Sequence, residues 1–329
     1  MPFTNWRFYK MPLISVVICT YNRYEVLKKA VKSLTQQTLD DDKFEVLIID
    51  NTPDAETGEG ATVKKDFESI ENLTYVFEKT PGLSNARNVG FKLAKSPYIS
   101  YLDDDAIASQ VWVEEVLNAF ETFDNVGVVG GRIAPIWEIP RPSWLSDALV
   151  GNVSVVDWGG ELRIAGSNEW FAGANISFSK KVLEEAGGFS TNLGRKGGGQ
   201  VLLSNEESEL INFVKQSEYI EVYNPKASVD HLVERKRLTR DWFRRRSAWQ
   251  AASDFMMNPS KAEKNLADQL TNIKDYLCSL PPRYRNLQGL YFATDDAGEF
   301  QWQLSAIYAN TILTLAGFDG LEGIEDGKE

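Results

Sequence analysis

The sequence predicts an α/β fold: a mostly parallel sheet flanked by helices, with a helical C-terminal extension. Three observations carry this. Continuous apolar, β-branched runs recur, as strands buried on both faces require. Segments with helical apolar spacing separate them, and such alternation implies parallel pairing with right-handed crossovers. From Thr239 onward the pattern is helical, beginning TRDWFRRRSAWQAASDFMM.

Ile14 to Thr20, ISVVICT, is the first strand. Val26, Leu27, Ala30, Val31 and Leu34 then recur at helical spacing, with Asn22 as the candidate cap. FEVLIID, ending at Asp50, is the second strand and LTYVF the third. Gly82 allows a tight turn, after which Ser84 to Ala94 reads as a helix with Ala86, Val89, Leu93 and Ala94 inward. YISYL is the fourth strand, VWVEEVLNAF a helix and VGVVGG the fifth strand. IAPIWEIPRPSW, with three prolines and two tryptophans, is expected as an ordered loop. ANISF is a strand, SKKVLEEAGG a short helix, GRKGGGQ a glycine-rich loop, and NEESELINFVKQ a helix burying Leu210, Ile211 and Val214. YIEVY and ASVDH are expected as two closing strands. The division expected is an arm over residues 1–10, a main domain over 11–235 with halves meeting near 131, and a helical region over 236–329.

A chain of 329 residues can bury one sizeable core and a smaller appended one. Its net charge of -12 argues against general nucleic-acid binding, which wants a basic surface. Two cysteines far apart, Cys19 and Cys278, make neither a disulfide framework nor a zinc pattern and fit a reducing cytoplasm. MPFTNWRFYK lacks the apolar core of a secretory signal, and no run of about 18 apolar residues offers a membrane span. The expected localisation is therefore cytoplasmic.

In open parallel sheets, ligands bind beyond the carboxyl ends of the strands. The first strand ends in TYNR, the second in Asp50 and Asn51, and the fourth in Asp103, Asp104 and Asp105. Three adjacent carboxylates repel unless solvated or bound to a cation, and carboxylate oxygens suit hard ions such as Mg²⁺ or Mn²⁺. Alternation puts Asp103 and Asp105 on one side, able to chelate one ion, while Asp104 takes a neighbouring hydroxyl. A helix-capping loop is the competing reading, because Asp105-Ala106 precedes a helical run. Arg87 lies one turn into the helix after Gly82, either as a surface ion pair or as a contact to phosphate or to the aspartates.

The motifs SVVICTYNR, VLIIDN, PGLSNARNVG, YLDDDA, FAGANISFSK followed by GGF, NEESEL and HLVERKRLTRDWFRRRSAWQ stand in order from about Ser15 to Gln250. In this the chain resembles the family 2 inverting glycosyltransferases, with their nucleotide-sugar-binding GT-A fold. The resemblance implies that the half up to about residue 131 holds the nucleotide sugar and the half after it the acceptor. Thr20, Tyr21 and Arg23 would line the nucleotide pocket, with Asn51 beside Asp50, which would hydrogen-bond the base. Arg87 would lie near the diphosphate. Asp103 and Asp105 match the pair that binds metal and ribose, with Asp104 between them, and His231, the only histidine, matches a ligand that completes the metal site. The cofactor implied is Mn²⁺ or Mg²⁺. Glu207 stands where the family has its catalytic base. The family usually writes Gly-Glu-Asp there, and this chain has Asn205, Glu206 and Glu207, so Glu206 is the alternative base. A solvated helix start is the plainer reading of the same residues.

Trp170, Phe171 and Asn175 are candidates for a sugar platform facing the acceptor, with core packing favoured for Phe171. Seven lysines or arginines lie between Arg235 and Arg246. They could bind diphosphate through Arg235 or Arg237, dock the protein at the inner face of a membrane or on a lipid-linked glycan acceptor, or pair with acidic residues. The function implied is transfer of a sugar from a nucleotide-diphosphate donor to a glycan hydroxyl. The rivals are a non-catalytic glycan- or nucleotide-binding module and a metal-dependent phosphatase or nucleotidyltransferase.

Overall fold

The computed structural model describes residues 11–193, 202–260 and 266–317. The expected N-terminal arm and the loop GRKGGGQ lie outside the described residues.

Nine strands form one sheet: β1 (Ile14–Thr20), β2 (Phe44–Asp50), β3 (Leu73–Phe77), β4 (Tyr98–Leu102), β5 (Ala106–Ala108), β6 (Val126–Trp137), β7 (Arg163–Ile164), β8 (Asn175–Ser179) and β9 (Ile220–Val233). Their order is β3-β2-β1-β4-β8-β6-β9-β5, with β7 on β9. The first four strands pair in parallel. β8 is antiparallel to β4 and β6, and β5 and β7 are antiparallel to β9.

The helices are α1 (Tyr24–Leu34), α2 (Glu59–Asp66), α3 (Leu83–Leu93), α4 (Trp112–Thr122), α5 (Lys180–Ala186), α6 (Glu206–Lys215), α7 (Arg240–Met257), α8 (Leu266–Ser279) and α9 (Ala297–Leu315). Every residue of β2 is buried, which is why that strand is an unbroken apolar run between its polar ends. α3 packs on β1 and β2. Trp112 of α4 is buried, and its Nε1 donates to Asn175 Oδ1 at 2.9 Å.

Several expectations change, among them Leu93 of α3, which is exposed rather than inward. Asn22 does not cap α1: it sits at φ 53, and Arg23 is the cap residue, with no side-chain bond. The Asp103–Asp105 triplet does not cap a helix, because β5 follows it directly. IAPIWEIPRPSW is not loop throughout, since β6 runs on to Trp137 across Pro135. YIEVY and ASVDH are one strand, β9, which continues through Pro225. Proline lacks only a donor, so a strand tolerates it wherever no ladder bond needs that N–H.

The chain packs as two units. One comprises the chain up to Ala134, Val156–Thr191 and Glu206–His231. The other comprises Pro135–Val155, Asn192–Asn205 and the chain from Leu232. The second unit thus takes in two earlier segments beside the chain from Leu232. The first unit's core is the sheet, with Trp112, Tyr101, Tyr223 and Phe178 among its largest members. In the second, Trp144 meets Phe243 and Phe300 edge-on at 5.3 and 5.0 Å.

The basic run Arg235–Arg246 lies in the second unit and is not a continuous exposed face. Arg237 and Arg244 are buried. Arg244 bonds Asp241 and the Gln303 side chain, both at 3.0 Å, and Arg240 pairs with Asp295 at 2.7 Å. Lys236 pairs with Glu234 at 3.0 Å. A cavity of about 430 Å³ also lies in this unit, with Asn152, Gln250, Trp302 and Tyr308 on its wall and no charged side chain among the described residues that line it.

Candidate active site

The parallel register brings the first polar groups together. Thr20 lies opposite Asp50 at the carboxyl ends of β1 and β2. Val17 pairs with Tyr101, and the next three residues carry Thr20 alongside Asp104. Thr20 Oγ1 donates to Asp104 Oδ2 at 2.7 Å. Arg23, just past the strand, forks across two carboxylates: Nη1 reaches Asp104 Oδ1 at 2.9 Å and Nη2 reaches Asp105 Oδ2 at 2.7 Å. Tyr21 is half-buried at the same strand end.

β5 sets the opposite wall. It pairs Ala106 with His231 of β9, which puts Asp105 beside that imidazole. His231 Nε2 stands 3.3 Å from Asp105 Oδ1. Asp103, Asp105 and His231 each offer one ligand atom, all within 4.8 Å of one another. His231 is almost fully buried, and its Nδ1 has no hydrogen-bond partner among the described residues. Burial pushes the Asp104 carboxyl up to about 7; Arg23 opposes this and the charge of Asp105 adds to it. Two oxygen donors, one nitrogen donor and a buried excess of negative charge fit a divalent cation of the Mn²⁺ or Mg²⁺ kind.

Arg87 joins this cluster to the glutamates. Gly82, at φ 134, starts α3 in a backbone conformation that a side chain would resist, and its N–H donates to Asn51 Oδ1 at 2.7 Å. Arg87, one turn on, is buried. Its Nη1 bonds Glu207 Oε1 at 2.8 Å and Glu206 Oε1 at 3.0 Å, and its Nη2 lies 3.7 Å from Asp103 Oδ1. Burial works against the guanidinium charge, but Glu207, Glu206 and Asp103 outweigh it and hold its pKa above the ordinary arginine range. Glu206 and Glu207 open α6, where acidic side chains suit the helix dipole. Their side chains differ in access: 4 % exposed for Glu206, 17 % for Glu207.

Gly173 makes this approach possible. A Cβ there would stand 2.0 Å from Glu207 Oε1 and 2.2 Å from Arg87 Nη2. Gly173→Ala is expected to push the pair apart and to cost about 1–3 kcal/mol of stability, the usual penalty for overpacking. A denaturant melt checks the stability, and a parallel activity assay is expected to fall further than the melt alone explains.

Other sequence candidates hold the scaffold. Asp50 is fully buried, and its carboxylate accepts from Tyr75 Oη at 2.8 Å, Tyr24 Oη at 3.1 Å and the Thr52 N–H at 3.0 Å. Asn51 ties down the loop before α3 through the carbonyls of Glu78 and Thr80, both at 2.7 Å. Asn175 is buried, accepts from Trp112 Nε1, and donates to the carbonyls of Ala227 and Arg132 at 2.8 and 3.1 Å. Phe171 is buried against Gly130. Trp170 is exposed and meets Trp158 edge-on at 6.1 Å, so an aromatic surface stands there. Sequence reasoning missed Gly173, Tyr24, Tyr75 and Trp158. Gly173 sits inside the motif FAGAN, but its reason is a spatial neighbour and leaves no periodic signal.

The comparisons with known proteins point one way. The family model "Glycosyl transferase family 2" matches residues 15–185. The chain is 31% identical over 249 residues to the glucosyl-dolichyl phosphate glucuronosyltransferase of Haloferax volcanii, covering 74% of this chain and 77% of that protein. It is 30% identical over 215 residues to a chondroitin synthase of Escherichia coli, covering 56% of this chain and only 30% of that protein. Among solved structures, the mannosyltransferase PcManGT from Pyrobaculum calidifontis, in complex with GDP-Man and Mn2+, matches with a TM-score of 0.59 at 18% identity, covering 93% of this chain and 88% of that one.

Proposed function

Because the chain belongs to glycosyl transferase family 2, we propose that it is a metal-dependent inverting glycosyltransferase. Its reaction moves a sugar from a nucleotide-diphosphate donor to a hydroxyl of a glycan or lipid-linked glycan acceptor. The observation that carries this is the juxtaposition of Asp103, Asp105 and His231 with Glu206 and Glu207, joined through Arg87. A cation cluster and a carboxylate from distant chain segments are the two parts that an inverting displacement needs.

Asp103, Asp105 and His231 would hold a divalent cation, which would supply neutralisation of the charge developing on the leaving diphosphate. The orphaned His231 Nδ1 and the acid-rich surroundings support that donor set. Thr20, Tyr21 and Arg23 line the nucleotide side, with Asp50 and Asn51 fixing its floor. Glu207 takes the proton of the acceptor hydroxyl. The acceptor oxygen bonds to the anomeric carbon as the bond to the diphosphate oxygen breaks, and the configuration inverts. The greater exposure of Glu207 supports it over Glu206 as the base. Trp170 offers an aromatic face to the acceptor sugar.

Among the described residues no helix is long and apolar enough to cross a membrane. The reading includes work in the cytoplasm at the inner membrane face, for which Arg235, Lys236 and Arg245 are the exposed basic groups of the run. A thermal-shift screen of UDP and GDP, each with and without Mn²⁺, tests the donor site. At a hundredfold excess over Kd a true ligand adds about 2.7 kcal/mol of stability. A shift that requires both nucleotide and Mn²⁺ is expected; no shift with either nucleotide would sink the donor assignment.

A further inference from the structure

Arg87 occupies a place that neither a surface ion pair nor a diphosphate contact explains. It is buried, and its cation is shared among three carboxylates from two segments far apart in the sequence. The guanidinium lies over the Phe189 ring, 5.4 Å from its centroid, and over Tyr101 at 5.9 Å. The backbone at Gly173 closes the remaining side at a distance no Cβ would allow. Packing on these sides leaves the guanidinium little room to turn.

We infer that Arg87 is the positioning residue of the base, and that it ties Glu207 to the cation cluster through Asp103. The inference rests on the reading of Glu207 as base. Arg87 Nη1 holds Glu207 Oε1 at 2.8 Å. That anchors one carboxylate oxygen and aims the other, so one oxygen fixes the side chain and the second is presented to the acceptor hydroxyl. Glu206, on the same Nη1 at 3.0 Å, supplies counter-charge to the buried guanidinium. Glu206 is then a scaffold residue and Glu207 a reacting one, although they are neighbours in sequence. Asp103 stands 3.7 Å from Nη2. Charge arriving at Asp103 with a cation therefore bears directly on the group that aims the base.

Three variants test this in the full chain. Arg87→Lys keeps the charge and loses the fork geometry. Arg87→Gln combined with Glu206→Gln removes one charge of each sign, so the buried charge balance is kept if Arg87→Gln alone fails to fold. The third is Glu207→Gln, alone and combined with the Arg87 change. Turnover is read as nucleotide-sugar hydrolysis with UDP-glucose, UDP-glucuronate and GDP-mannose, and donor affinity by calorimetry with UDP or GDP plus Mn²⁺. The expected result is a loss of about a hundredfold in kcat in the charge-balanced variant, within the range for a misplaced catalytic group. Nucleoside-diphosphate Kd is expected to stay within about threefold of wild type, and Arg87→Lys to recover part of the rate. The Arg87 change is expected to add nothing in the Glu207→Gln background, because both act on one step. A purely structural role would lower both backgrounds equally. A tenfold or greater loss of nucleotide affinity with kcat preserved would overturn the inference and return Arg87 to the diphosphate. Full activity in Glu207→Gln would instead overturn the reading of the base. A dead Glu207→Gln beside a fully active charge-balanced variant would overturn this inference alone.

Discussion

Glu207→Gln is expected to bind nucleotide and Mn²⁺ as the wild type does and to lose transfer by about 10²–10⁴-fold, roughly 3–5 kcal/mol of barrier. The glutamine keeps the shape and can still receive a hydrogen bond from Arg87, but it cannot take the acceptor proton. The nucleotide contacts proposed above involve Thr20, Arg23 and the aspartates, which bond one another and not Glu207. Glu206→Gln is expected to do less to the chemistry and more to stability. Its side chain is 4 % exposed and its bond to Arg87 helps offset the burial of that cation. Kinetics at saturating donor, beside a denaturant melt for each variant, make the comparison. A near-inactive Glu206→Gln with an active Glu207→Gln would reverse the two roles.

Asp105→Asn is expected to weaken Mn²⁺-dependent nucleoside-diphosphate binding by at least about a hundredfold, because it would remove a charged ligand from the proposed three-donor site. The fold is expected to survive. Asp105 shares Arg23 with Asp104, so the arginine keeps a partner at 2.9 Å. Removing one of two adjacent buried carboxylates also relieves repulsion, the same repulsion that helps raise Asp104. Calorimetry with and without Mn²⁺ measures the loss. Unchanged affinity would mean that the cation, or the nucleotide, is held elsewhere.

The strands that line the site were legible because both faces are buried. Nothing polar interrupts VVIC or VLII, and each run ends at a strand terminus that carries candidate site residues. The aspartate triplet was legible for a related reason: its repulsion needs an explanation that composition does not supply. Elements shaped by tertiary pairing were not. β5 is three residues long and exists through its pairing with β9, yet it is what seats His231 beside Asp105. Prolines at 135 and 225 read as breaks, although the strands continue through them. α2 carries two buried residues, Gly60 and Val63, too few for a periodic signal. The meeting of Arg87 with Glu206 and Glu207 spans 119 and 120 residues of chain, and Gly173 matters only because of that meeting. Such contacts leave no local trace, whereas the groups that make them could be named.

The central claim is inverting displacement with Glu207 on the face opposite the diphosphate, and the most direct measurement needs no acceptor. In the absence of one, water can take the acceptor's place, and proton NMR resolves the anomer released before mutarotation scrambles it. With an α-linked donor such as UDP-glucose, UDP-glucuronate or GDP-mannose and Mn²⁺ present, the β-anomer is expected to appear first, at a rate that Glu207→Gln abolishes. First appearance of the α-anomer would contradict the account, because the configuration would be retained and Glu207 would not be the base of a single displacement.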